Sequence, residues 1–448
     1  MPDTNETRIE NVRLPGLEEP RNVRLADGCF QSLDDRDPVG SAAVIDAEGC
    51  WLLPGMVDAH VHFNEPGRTH WEGWTTGSRA AALGGVTTVV EMPLNAIPPT
   101  NTPQAFAEKR AAAEGKSHVD FALWGGLVPD NLDQLEDLAD SGVVGFKAFM
   151  SPSGTDDFAH SDATVLKSGM KVIQRTGLPL AIHAEAPAVL DREAACPHPD
   201  TASGFEASRP REAELEAIRI ALDLAGETAC RVHIVHVSCP EGVDLINQYQ
   251  QQGVDVTCET CTHYLRLTLA DVERLGPVAK CAPPVRSPDA REALWERLRS
   301  GHLQTVGSDH SPSPWDLKAT GSFTTAWGGI SGIQHAWTLL LHAHFAEDRC
   351  PLDRLCETVA TAPAHRLGLD SHKRGLVPGA HADGLLYDPA TRETITQTSL
   401  AYQHPHSPYV GQTIGTVRRV FLRGQTVAHE GAVVGAPRGR LLRPVRSC

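Results

Sequence analysis

Six side chains of this 448-residue sequence have the chemistry and the placement of metal ligands. His60-Val61-His62 lies at the end of an apolar-rich run, 56–63. On a strand, residues two apart point to one face, so both imidazoles reach a single cation. Asp58 shares that face, either as a carboxylate steadying a ligand from behind or as a solvated strand end. Lys147 interrupts the apolar run 143–149. A buried lysine is costly unless paired, and burial favours its neutral amine. A neutral amine can take up carbon dioxide, and the resulting carbamate offers two oxygens to bridge two cations. Pairing with a carboxylate is the other reading. His183, His236 and Asp309 stand toward the ends of the runs 179–184, 232–238 and 304–309. His233 and His310 fall on the opposite faces of their runs. Two divalent cations, bridged by a carbamate and a hydroxide, would satisfy His60, His62, Lys147, His183, His236 and Asp309 together.

These residues need a scaffold that gathers strand ends. Short apolar or β-branched runs recur at 56–63, 87–92, 120–127, 143–149, 179–184, 232–238, 255–260 and 304–309. Helical, Ala- or Leu-rich stretches such as 77–83, 132–139, 211–225 and 290–299 lie between them. Alternation on this scale predicts parallel strands closed into a (β/α)₈ barrel, whose active sites sit at the C-terminal strand ends. An open doubly wound sheet is the alternative that alternation alone allows. Before residue 56 and after 369 the pattern is short strands and turns, at 22–25, 42–45, 384–387, 417–422 and 425–428. The expected division is therefore a barrel over 56–369 and a small β-sandwich domain from 1–55 plus 370–448.

Composition narrows the function classes. The formal net charge is −16, with no long basic run, which argues against nucleic-acid binding. The longest apolar runs are too short for a transmembrane helix, and the polar start MPDTNETRIE lacks the apolar stretch of a secretory signal. Eleven cysteines over this length point to a reducing cytoplasm rather than a disulfide scaffold. Cys258-Glu259-Thr260-Cys261 is a CxxC without a second pair, so both are expected to be unbridged thiols. Neither GxGxxG, GxxxxGK[ST] nor GxSxG occurs, so phosphate-loop and nucleophile-elbow chemistry find no support.

The ligand set resembles that of the amidohydrolase superfamily, in its cyclic-amidase branch of dihydroorotases, hydantoinases and allantoinases. Within the branch, the strings Pro54-Gly55-Met56-Val57-Asp58-Ala59-His60-Val61-His62-Phe63-Asn64-Glu65-Pro66-Gly67-Arg68, Met92-Pro93-Leu94-Asn95, Phe146-Lys147-Ala148-Phe149-Met150, Glu259-Thr260-Cys261-Thr262-His263-Tyr264-Leu265 and Ser407-Pro408-Tyr409-Val410-Gly411 are most similar to those of allantoinases. Dihydroorotases carry an Arg just after HxH, where this sequence has Asn64. Hydantoinases carry a Tyr shortly after the bridging lysine, where this sequence has Ser151-Pro152-Ser153-Gly154. Both differences favour the neutral, ureido-bearing hydantoin ring of allantoin over a carboxylated ring.

The resemblance implies metal-dependent hydrolysis of a cyclic amide, allantoin to allantoate. The alternative is a sister reaction on hydantoins, dihydropyrimidines or dihydroorotate. It implies that His60 and His62 hold the more buried cation and His183 and His236 the more exposed one, with carboxylated Lys147 bridging. Asp309 is implied as ligand and as general base and acid. Zinc is the expected metal, with cobalt, manganese and iron also suited to such ligands. By analogy, Asn95, Cys281, Ala282, Ser331 and Gly332 contact substrate, although Asn95 also suits a turn before Pro98-Pro99. A homotetramer and a small-molecule substrate, with no nucleic-acid or membrane partner, complete the expectation.

Overall fold

The computed structural model describes residues 6–36 and 42–445. Among them eight parallel strands form a closed ring: β1 (Met56–Val61), β2 (Val86–Glu91), β3 (Asp120–Leu123, continued by Gly125–Gly126), β4 (Phe146–Phe149), β5 (Leu180–His183), β6 (Val232–Ile234), β7 (Val256–Cys261) and β8 (Thr305–Gly307). Each pairs in parallel with the next. The ring closes where Val61 bridges His310 in parallel and the His62 N–H donates to the His310 carbonyl at 2.7 Å. The fold is thus a (β/α)₈ barrel, and the open sheet is excluded.

Helices cover the ring, and their ends are written in the sequence. The helix Ala163–Thr176 starts where Asp162 accepts from the N–H groups of Thr164 and Val165 at 2.9 and 2.8 Å. It stops at Gly177, whose φ of 72° suits glycine. Its buried residues Leu166, Gly169, Met170 and Ile173 recur at helical spacing and face the barrel. Full burial of each large one contributes roughly 1.5–3 kcal/mol.

The barrel ladders end earlier than the apolar runs suggested. β6 stops at Ile234 and β8 at Gly307, whereas 232–238 and 304–309 were expected to be extended throughout. The reason lies in two ligand-type residues. His236 (φ 40°) and Asp309 (φ 44°) adopt left-handed backbone, which turns the chain out of the sheet.

Two further sheets form beside the barrel. One runs in the order Cys29–Ser32, Arg21–Ala26, Glu6–Val12, Ala43–Asp46; its last pair is parallel. The other is antiparallel, in the order Ala432–Val433, Gln425–His429, Thr413–Leu422, Gly384–Thr394, Trp51–Pro54. Ile9, Val23 and Phe30 of the first pack with Leu52, Leu386 and Phe421 of the second in one apolar cluster, which makes a β-sandwich. Trp51–Pro54 then passes into β1 through Gly55. A Cβ at Gly55 would lie 2.2 Å from Thr87 Oγ1, so only glycine allows this approach.

The chain's last described residues return to the barrel. Leu441 bridges Phe121 at the start of β3. Asp120 accepts from Lys373 Nζ at 2.7 Å, from the Arg440 N–H at 3.0 Å and from the Arg423 guanidinium. Lys373 also pairs with Asp383. All of Lys373, Asp120 and Asp383 are buried. Lys373→Met would leave two buried carboxylates without their shared cation. It is expected to cost about 3–5 kcal/mol, read as a lowered denaturation midpoint at neutral pH. An unchanged midpoint would show that Arg423 alone suffices.

Among the described residues, no helix is long and apolar enough to cross a membrane. Cys258 and Cys261 are free thiols, as expected.

Candidate metal centre

The C-terminal ends of β1 and β8 bring three ligand-type groups together. The Nε2 atoms of His60 and His62 lie 3.3 and 3.6 Å from the same oxygen, Asp309 Oδ1. His60 Nδ1 donates to Glu259 Oε1 of β7 at 2.8 Å, which leaves Nε2 with its lone pair. Asn95 Nδ2 lies 3.3 Å from His62 Nδ1 on the other side of that ring. Burial pushes the His62 imidazole down to about 4, against the opposing pull of Asp309. Burial works against the Asp309 charge too, but His60 and His62 hold it well below the usual carboxylate range. The result is two imidazoles and one carboxylate facing a common point.

A second pair stands opposite. His183 Nδ1 and His236 Nε2 are 3.0 Å apart. His183 Nε2 donates to Glu185 Oε2 at 2.7 Å, so its Nδ1 carries the lone pair. Glu185 in turn accepts from Arg209 Nε at 3.0 Å. Burial lowers the basicity of both imidazoles. His183 also stacks on Phe149, with centroids 4.5 Å apart.

Lys147 of β4 lies between the two pairs in chain order. It is fully buried, its Nζ has no hydrogen-bond partner among the described residues, and it sits 4.9 Å from the Phe149 ring centre. Burial pushes its amine down to about 7, outweighing the attraction of Asp309 and Glu259. Among the described residues no carboxylate accepts a hydrogen bond from Lys147 Nζ. An unpaired, partly neutral buried amine is the state that carbamate formation needs.

A cavity of about 100 Å³ opens over these groups. His60, His62, His183, His236 and Asp309 line it, and so do Asn95, Cys281 and Ala282. Ser331 and Gly332 do not line it. The Ser331 carbonyl accepts from Ser407 Oγ at 2.7 Å and the Gly332 N–H donates to His310 Nδ1 at 3.1 Å, which ties this segment behind the wall. Asn64 is buried, donates to the Pro312 carbonyl at 3.4 Å and also lies outside the lining. Asp58 accepts from the N–H groups of His60 and Ser308, at 3.3 and 3.0 Å, so it steadies ligand-strand backbone and no imidazole. A larger cleft, about 540 Å³, lies by Gln334 and Glu393 and contains none of the six ligand-type residues.

The sequence pattern of the amidohydrolase family matches residues 51–427. The chain belongs to this family. It is 48% identical to an allantoinase of Rubrobacter xylanophilus over 432 residues, covering 96% of this chain and 95% of that one. It is 45% identical to an allantoinase of Deinococcus radiodurans, covering 96% of each. Among solved structures, the L-hydantoinase (dihydropyrimidinase) of Arthrobacter aurescens superposes with a TM-score of 0.93 at 34% identity, covering 98% of this chain and 99% of that one.

A binuclear metal centre fits this amidohydrolase. Ring nitrogens of four imidazoles, one ionised carboxylate and one unpaired amine come from five strand ends. Sequence reasoning missed the carboxylates behind the ligands. Glu185 stands two residues after His183, a same-face spacing that was available as a signal. Glu259 reaches His60 from another strand, and no local spacing announces that. The neighbouring His233 and His60 imidazoles, the latter hydrogen-bonded to it, overcome burial and hold it at about 2. Glu259→Gln is expected to weaken metal binding about 10- to 100-fold, as measured by chelator competition. Unchanged affinity would show that His60 needs no carboxylate behind it.

Proposed function

We propose that this amidohydrolase opens the hydantoin ring of allantoin by hydrolysing a ring amide, giving allantoate. The carrying observation is that the two allantoinases match nearly the whole chain, and more closely in sequence than the structurally similar hydantoinase does. The pocket edge is consistent with this. Pro152 and Ser153 line it at the place where a hydantoinase-type tyrosine would stand.

Two bound divalent cations would supply Lewis-acid polarisation of the scissile carbonyl and activation of water at neutral pH. His60 and His62 would hold one, and His183 and His236 the other. Lys147, carboxylated on Nζ, would be the ligand shared by both. Asp309 would ligate beside His60 and His62, take a proton from the attacking water and deliver it to the leaving ring nitrogen. Asn95, Cys281 and Ala282 contact the ring or its ureido arm. Zinc is the metal we assign. A homotetramer in the cytoplasm, with residues 56–369 as the catalytic barrel and 1–55 plus 370–448 as its β-rich partner, completes the reading. Parts of that partner, 1–5, 37–41 and 446–448, lie outside the described residues.

The test is ring opening by purified protein supplied with divalent metal and bicarbonate. Allantoin, hydantoin, dihydrouracil and dihydroorotate are compared side by side. Preference for allantoin supports the proposal. Preference for hydantoin or dihydrouracil moves the enzyme to the sister reaction and keeps the metal chemistry.

A further inference from the structure

Two buried lysines, Lys280 and Lys318, take no part in the chemistry above, and neither forms an ion pair among the described residues. Each spends its ammonium on backbone carbonyls instead. Lys280 Nζ donates to the carbonyls of Phe323, Thr324 and Ala326 at 2.8, 2.7 and 2.7 Å. Lys318 Nζ donates to those of Pro277, Trp327 and Gly329 at 3.0, 2.8 and 2.5 Å. In its ammonium form each has three donors for its three carbonyls.

The arrangement is reciprocal. Lys280 directly precedes Cys281 and Ala282, one wall of the pocket, and reaches the stretch leading to Trp327, Gly328 and Gly329, the other wall. Lys318 belongs to the second loop and reaches back to Pro277, just upstream of the first. The Gly329 N–H returns to the Lys280 carbonyl at 2.8 Å. The two walls are thus fastened in both directions.

The fastening also orients a donor. A peptide unit is planar and trans, so its C=O and N–H point opposite ways. With the Trp327 carbonyl turned onto Lys318, the Gly328 N–H points away from that amine. Gly328 lines the pocket, and its N–H has no acceptor among the described residues.

We propose that Lys280 and Lys318 are positioning residues that hold the two substrate walls in register and present the Gly328 N–H to a carbonyl of the ring substrate. This rests on the reading of the cavity as a cyclic-amide site. The lysines touch no metal ligand, so their effect falls on substrate binding. Loss of binding shared by ground and transition states raises KM and spares kcat.

The experiment compares Lys280→Met and Lys318→Met with the wild-type enzyme loaded with metal. The assay uses whichever ring the wild type opens fastest. KM is expected to rise about tenfold or more, the loss of roughly one well-placed hydrogen bond. Turnover number and a content of two metals are expected to hold, and amide exchange is expected to quicken over 317–330. Lys280→Gln and Lys318→Gln keep two N–H donors. They serve where methionine prevents folding and are expected to give smaller KM increases. Folded variants with unchanged KM, or with metal loss matching the loss of activity, would overturn the proposal. A wild type that prefers hydantoin overturns the allantoin assignment alone, because the KM change is then read on hydantoin.

Discussion

Lys147→Ala is expected to lower kcat/KM by at least about a thousandfold, roughly 4 kcal/mol of barrier, and to reduce the bound metal below two per chain. On the proposed assignment, Lys147 is the ligand that joins the two histidine pairs. His60 and His62 belong to one strand end, His183 and His236 to two others, and no described carboxylate spans the two sets. Stability should move little. Truncating a buried group is severe when it orphans a partner, and Lys147 Nζ has none among the described residues. The checks are metal analysis, a melting curve and initial rates in buffer replete with metal and bicarbonate. Near wild-type turnover with two ions bound would contradict the bridging role.

Asp309→Asn is expected to keep the fold and to cut turnover about 10²- to 10⁴-fold, the range for a lost general base. Asparagine has nearly the same shape, so the turn at φ 44° can persist; Asn is among the residues that tolerate left-handed backbone. What changes is charge and proton affinity. Asp309 is held ionised against its burial by His60 and His62, so it carries no proton before attack on the proposed assignment. The carboxamide cannot accept that proton. Initial rates alongside metal content separate the two roles of the residue. An unchanged rate with full metal would rule it out as the proton carrier.

How much of this was legible in the sequence follows from range. The HxH pair could be read because alternation on a strand is a local rule. The barrel could be read because strand and helix alternate along the chain. The ends of the strands could not, because His236 and Asp309 leave the sheet through left-handed backbone that no spacing predicts. Nor could the direction of each imidazole be read. His60 presents Nε2 because Glu259, 199 residues away, takes Nδ1. His183 presents Nδ1 because Glu185 takes Nε2. Nor could the bonds that place Ser331 and Gly332 be read, since they come from Ser407 and His310, 76 and 22 residues away. Asn64, offered as a substrate discriminator, turns inward to Pro312.

The closure of the barrel base bears on how this chain is made. Asp120, at the first residue of β3, waits for Lys373, Arg423 and Arg440, the last of them 320 residues downstream. At a synthesis rate of about 5–20 residues per second, that is a delay of roughly 15–65 s. Throughout it, an acidic residue destined for burial stays hydrated and the start of β3 keeps an open edge. The nascent barrel therefore cannot lock as it emerges from the ribosome. The start of β3 gains its second partner only when residues 440–442 pair with Phe121, and until then that strand edge is open to association.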